Sequence, residues 1–257
     1  YSNYLMASRL KPNTISTYMR MLRSIYNRGV DMHQAPYVHG LFRDVFTGVD
    51  TRQKKAIPIG ELHMLLNKDP QSEKLRRTQA IANLLFQFCG MPFSDLAHLE
   101  KSNLERGLLK YNRTKTGTPM SIEVLESAQN AIGGLYNKSD ARSSGYPDYL
   151  FRILSGAYKR NEEGAYREYQ SALRRFNNEL KSLSRKLRLH SPVTSYTLRH
   201  SWATTAKYRG VPIEMISESL GHKSIKTTQI YLKGFELEER TKVNKLNYSY
   251  VCSFKMF

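Results

Sequence analysis

The chain has 257 residues, enough for one large domain or for a large one with a small companion. Hydrophobic residues make up 40% of it, so a sizeable core can form, while 40 lysines and arginines against 22 acidic residues leave a net charge of +18. That excess, with a pI near 9.9, favours a polyanionic partner through counterion release and long-range steering. No apolar run approaches the ~20 residues that a membrane helix needs, and the first residues show no secretory pattern. Nucleic acid therefore ranks above an anionic membrane surface. The two cysteines, Cys89 and Cys252, make no disulfide framework and fit no zinc spacing, the usage of a reduced cytoplasmic protein.

In chain order, Ile15, Tyr18, Met19, Leu22 and Ile25 recur at three and four residues, which predicts a helix with that face buried. Asn13, Thr14 or Ser16 would cap it, and Lys11, Arg20, Arg23 and Arg28 surround the stripe. Gly29 and Gly40 bracket a less regular stretch. Residues 47–58 have linker composition. Helices follow over about 60–66 and 74–88, then Gly90 and Pro92 break the pattern, and Ser94 caps a short helix, DLAHL. Leu108–Tyr111, the Thr116-Gly117 turn and the alternating Met120, Ile122 and Val124 predict a hairpin with Lys115 beside its turn. Residues 137–148 read as a loop. Tyr166, Tyr169, Leu173, Phe176, Leu180, Leu183 and Leu187 predict a long amphipathic helix whose other faces carry Arg174, Arg175, Lys181 and Arg185. Three shorter helices close the pattern: one ending at Gly210, one opened by Pro212 and stopped at Gly221, and one capped by Ser224 that runs through Tyr231 to Gly234.

Lys115, Arg199, His222 and Tyr231 together form a chemically complete set for breaking a phosphodiester without a metal. Tyrosine can attack phosphorus and store the bond as a phosphotyrosine. Arginine is the planar fork for the non-bridging oxygens, lysine can protonate the leaving oxygen, and histidine can donate to the phosphate. Each residue alone has an ordinary alternative: a core tyrosine, a solvated hairpin lysine, a histidine capping a helix end.

The segments LRHSWAT and LGHKSIKTTQIYL resemble the C-terminal signature of the tyrosine recombinases, the phage-integrase-like family, with the Arg–His interval of 23 residues and the His–Tyr interval of nine. GMPFSDLAHL and YNRTKTG are similar to that family's first motif and hairpin lysine, and KPNTISTYMRMLRSIYNRG to the end of its helical core-binding domain. The wording around the first motif and TSYTLRHSWAT looks most like integrases of conjugative and mobilisable elements. The resemblance implies a mainly α fold with a small antiparallel β-sheet (α+β). Residues 1–46 would be the C-terminal part of a DNA-clamping domain, 47–58 a linker and 59–257 the catalytic domain. It implies Tyr231 as nucleophile, Arg199 on the non-bridging oxygens, Lys115 as general acid and His222 as phosphate donor, with no metal and no cofactor. It also implies a monomer that assembles as a tetramer on double-stranded DNA, cuts in two pairwise steps, and works with accessory DNA-bending or excision proteins in a bacterial, nucleoid-associated setting. The apolar tail, with Leu246, Tyr248, Tyr250, Val251 and Phe254, would dock on a neighbouring protomer or on its own domain.

Two positions depart from the resembled pattern. An arginine is expected just before the Gly90-Met91 pair, where this chain has Cys89; a histidine is expected where it has Tyr196. Tyr196 can still donate a neutral hydrogen bond, but Cys89 brings no charge. Arg113 is the first candidate for a substitute cation and Arg106 the second. Phosphate contacts by Lys11, Arg20, Arg23, Arg174, Arg175, Lys181 and Arg185 are expected to dominate DNA binding. The alternatives are a cleavage-impaired DNA-binding regulator on the same fold, a type IB topoisomerase-like enzyme, and an unrelated RNA-binding module, for which no aromatic recognition motif is visible.

Overall fold

A computed structural model describes residues 1–48, 56–139 and 145–232, together with 241, 242, 244–246, 248 and 249; the side chains of Ile230 and Tyr231 lie outside the description. Among the described residues the chain is mostly helical with one three-stranded antiparallel sheet, and it divides into two compact units, Tyr1–Gln53 and Lys54–Phe257.

The first unit contains α1 (Ser2–Ala7) and α2 (Pro12–Asp31). Pro12 opens α2 after an extended Lys11, so none of Asn13, Thr14 and Ser16 caps it: all three lie inside the helix. The expected buried face is only partly formed. Ile15 and Met19 pack with Leu5 against Phe42 and Val45, whereas Tyr18, Leu22 and Ile25 are exposed. α2 also continues through Gly29 rather than stopping there. Of the expected linker, 49–55 lie outside the described residues, and Ile57 is buried, its amide donating to Ser201 Oγ at 2.9 Å.

The second unit is built on α3 (Ile59–Asn67), α4 (Glu73–Gln87), α5 (Phe93–Ala97), the strands β1 (Leu104–Glu105), β2 (Leu108–Asn112) and β3 (Pro119–Glu123), and α6 (Glu126–Leu135). Then come α7 (Glu163–Lys186), α8 (Ser195–Tyr208), α9 (Ile213–Ser219) and α10 (Ile225–Tyr231). β2 and β3 form the expected hairpin, with Tyr111 opposite Met120, and β1 adds a third strand. α6 was not foreshadowed by the pattern; Gly133 and Gly134 near its end blunt the helical signal. Ser94 lies inside α5 instead of capping it, with its hydroxyl on Asp95 Oδ1 at 3.2 Å.

Burial of α7 follows its stripe from the middle onward. Phe176, Leu180, Leu183 and Leu187 are in the core, while Tyr166 at the helix start is exposed. Phe93 of α5 stacks on Phe176 at 4.7 Å, Glu179 accepts a hydrogen bond from Thr78 of α4, and Asn177 Oδ1 accepts from the amide of Ser195 at the start of α8. α8 begins with a capping box between Thr194 and Thr197. These ties hold α4, α5 and the start of α8 against α7.

Candidate active site

The end of α4 is unusual in its backbone. Cys89 and Gly90 both take left-handed conformations, at φ +54° and +63°. A Cβ on Gly90 would stand 3.1 Å from Trp202 Cβ and 3.3 Å from the backbone of Arg199, so glycine permits α8 to come this close. The Gly90 carbonyl then accepts from Arg199 Nη1 at 2.8 Å. The Cys89 side chain is half-buried and packs against the main core, and burial pushes its thiol up, so it stays neutral.

Arg199 is buried on α8, and its Nη2 donates to the carbonyl of Leu220 at 2.6 Å and lies 3.2 Å from His222 Nε2. Arg113, just beyond β2, reaches the same carbonyl from the other side: its Nη1 also donates to Leu220 O. Its Nε lies 2.9 Å from Asp95 Oδ2 in an ion pair whose side chains are 6% and 1% exposed. Asp95 Oδ1 further accepts the amide of Thr114 at 3.3 Å, which fixes the turn that follows Arg113. One backbone carbonyl thus gathers two guanidinium groups from two elements.

Gly221 makes this approach feasible. A Cβ there would meet Arg113 Cγ at 2.9 Å and Met120 Sδ at 2.8 Å, and its φ is +64°. The hydroxyls of Thr116 and Thr118 each lie 3.4 Å from the Gly221 carbonyl, so the hairpin turn clasps the end of α9. Lys115 sits in that turn with its side chain exposed. Burial first, then the charges of Arg199, Arg113 and Lys115, pull the His222 imidazole down to about 4, so the ring is neutral at physiological pH. Nearby, burial, reinforced by Asp95, holds the Tyr111 phenol well above its usual value and therefore protonated.

In charge terms, Arg113, Arg199 and Lys115 come together beside the carboxylate of Asp95. That suits an anion, and the two forks suit a tetrahedral oxyanion. Among the described residues no cluster of three or more histidine, cysteine, aspartate or glutamate side chains is arranged to hold a metal.

Arg113, Lys115, Arg199 and His222 are therefore brought together, and Tyr231 ends α10, three residues after the fully buried Thr228. Tyr196 lies in the first turn of α8, 43% exposed. Arg106 does not join them: it sits at the opposite end of β2 with its side chain 90% exposed, near Glu105. Sequence reasoning passed over Asp95, although an acid among Phe93, Leu96 and Ala97 in a short buried helix was a signal. It also passed over Gly221 as a packing requirement and Thr228, whose hydroxyl lies 2.9 Å from His222 Nδ1. Lys11, Arg20, Arg23, Arg174, Arg175, Lys181 and Arg185 are all exposed. Tyr250, Val251, Cys252, Phe254 and Gly234 lie outside the described residues, and Leu246 and Tyr248 are exposed.

Residues 59–237, which hold this whole cluster, match the model of the phage integrase family. The chain belongs to that family. A probable integrase/recombinase protein of Methanocaldococcus jannaschii is 28% identical over 204 residues, covering 77% of this chain and 58% of that protein. The tyrosine recombinase XerD of Halalkalibacterium halodurans is 30% identical over 190 residues, 70% of this chain and 57% of XerD. The chain thus spans a little under three fifths of the length of these relatives. Among solved structures, the Tn1549 transposon integrase in complex with a circular-intermediate DNA superposes with a TM-score of 0.69 at 15% identity, over 95% of this chain and 82% of that one. A lambda integrase dimer bound to a core site gives 0.60 at 14% identity, over 92% of this chain and 65% of that one. These likenesses establish the family's mainly α fold with its small sheet. No helix among the described residues is long and apolar enough to cross a membrane.

Proposed function

We propose that the chain is the catalytic part of a site-specific DNA recombinase or integrase of a mobile element, acting through a 3′-phosphotyrosyl intermediate on Tyr231. The observation that carries this reading is the Leu220 carbonyl, shared by Arg113 and Arg199 beside a neutral His222 and one short helix from Tyr231. Arg113 supplies the cation that Cys89 does not. Its Nε is held by Asp95 and its Nη1 by Leu220, and Nη2 remains for a phosphate oxygen. The Tyr231 phenol gives up its proton to solvent as its oxygen attacks phosphorus, the bond to the 5′ oxygen breaks, and Lys115 protonates that oxygen as it leaves. Arg113 and Arg199 balance the two negative charges of the pentavalent transition state. Rejoining is the reverse reaction on a second strand end, and no metal or cofactor enters. Tyr196 adds a neutral donor at the rim.

The partner is double-stranded DNA, held as a tetramer of otherwise monomeric chains and assisted by accessory bending or excision proteins. Residues 1–46 act as the end of a core-binding domain and 59–257 as the catalytic domain, in the bacterial cytoplasm at the nucleoid. Phosphate contacts come from Lys11, Arg20 and Arg23 on the first unit and from Arg174, Arg175, Lys181 and Arg185 on α7. Affinity should then fall steeply along a log–log salt plot; a flat plot removes the electrostatic argument.

The test is a trapping assay with a nicked or phosphorothiolate duplex carrying a site selected from a randomised pool. A denaturation-resistant adduct that disappears in Tyr231→Phe is the expected result. Site-specific binding with no adduct would mean that the chain is a regulatory binder, and relaxation of supercoils without strand exchange would mean a topoisomerase-like enzyme.

A further inference from the structure

The histidine has a second contact that the recombination chemistry does not by itself require. Its Nε2 lies 3.2 Å from Arg199 Nη2. A guanidinium offers donors only, so Nε2 accepts and the proton of the neutral ring sits on Nδ1. Nδ1 faces Thr228 Oγ1 at 2.9 Å, and the hydroxyl accepts that proton's hydrogen bond. Thr228 is 0% exposed, so water has no access to replace it. Its own carbonyl accepts the amide of Leu232 at 2.8 Å across the end of α10, which locks the residue into the helix that ends at Tyr231.

From this geometry we propose that Thr228 is a positioning residue, whose hydroxyl sets the tautomer of His222 in the empty site and lets that tautomer invert when a phosphate arrives. The inversion rests on the functional reading above, in which His222 donates from Nε2 to a phosphate oxygen. To do so, the partly exposed ring takes a proton on Nε2 from solvent and releases the one on Nδ1 to solvent, with no change in net charge. Nδ1 then needs a donor where it formerly needed an acceptor. A hydroxyl serves both states by rotating; a carboxylate would hold the proton on Nδ1, and a methyl group would satisfy neither state. Among the groups facing the ring are Arg199 from α8, Arg113 and Lys115 from the hairpin and Thr228 from α10; burial first and then the three cations keep it neutral, so inversion rather than protonation is the accessible change. Thr228 also links the imidazole to the helix of the nucleophile, so ring and helix are positioned as one.

The test has two arms. In DNA-free protein, nitrogen-15 NMR of the histidine rings, with His222→Gln for assignment, should report the Nδ1–H tautomer in the unsubstituted chain and in Thr228→Ser, and a shift towards Nε2–H in Thr228→Val. In single-turnover trapping, Thr228→Val should slow adduct formation about 10–100-fold, the loss typical of a partner that orients a reacting group, with DNA affinity unchanged, and Thr228→Ser should restore most of the rate. An Nε2–H tautomer in the unsubstituted free protein overturns the proposal, as does equal cleavage by the Val and Ser variants. If Thr228→Val fails to fold, the tautomer of the unsubstituted protein and the Ser variant still decide the matter. If the unsubstituted chain forms no adduct, the recombinase reading fails while the NMR arm still judges the contact.

Discussion

The two halves of the site hold their cations in different ways. On the side of α8 to α10, Arg199 donates to the carbonyls of Gly90 and Leu220 and lies beside a neutral histidine. On the side of α5 and the hairpin, Arg113 is paired with buried Asp95 and shares only the Leu220 carbonyl with its counterpart. The shared carbonyl therefore joins two cations that are held in different ways. Part of the charge of Arg113 is spent on the Asp95 pair that holds the hairpin in place, whereas the contacts named for Arg199 are to neutral groups.

The difference can be broken at each arginine in turn. Arg199→Lys replaces the planar fork with a point charge that cannot serve two carbonyls and a phosphate together. Adduct formation should fall about 10²–10³-fold with a small effect on stability, as read by single-turnover trapping and denaturant unfolding. Arg113→Gln should cost a similar or smaller factor in cleavage but about 3–5 kcal/mol in stability, because it strands a buried carboxylate. Adding Asp95→Asn to it should recover most of the stability and none of the cleavage; recovery of both would make Arg113 purely structural. Cys89→Arg should raise cleavage only a few-fold if Arg113 already supplies the cation. A gain near the about 10²–10³-fold worth of a whole donor would show that the natural site lacks one.

The smallest effect is on pH dependence. The native His222 ring takes its proton only near about 4, against 6.5 for an unperturbed ring. As pH falls, the unfolded chain gains that proton first, so stability from this site is complete above about 6.5 and erodes from there down through about 4. Unfolding midpoints at pH 7 and pH 5 should differ less in His222→Gln than in the unsubstituted chain; an unchanged difference would place the titration elsewhere.

Much of this site could be read from residue order, because Arg199 lies on α8, His222 in the short link after α9 and Tyr231 at the end of α10, where spacing and glycine stops constrain geometry. Arg113 was legible only as a nearby charge. Its burial against Asp95, 18 residues earlier in the chain, depends on α5 packing beside the hairpin, and that contact has no local signature. Burial was legible to the same limited degree. The three-and-four spacing marked both α2 and α7 as helices, yet Leu180 of α7 is 0% exposed while Ile25 of α2 is 66% exposed. Periodicity defines a face and says nothing of what covers it.

By itself, then, the sequence determined most of the longer helices and the presence of the hairpin, because these follow from periodicity and turn chemistry within short stretches of chain, and its motifs carried the resemblance to the family. Only the tertiary structure decided that Arg113 rather than Arg106 joins Arg199, that Cys89 turns into the core as a neutral thiol, and that Thr228 faces His222. Each of these depends on where separate elements come into contact, at Gly90 and Gly221, and close approach between distant segments is a property of packing that no local pattern encodes.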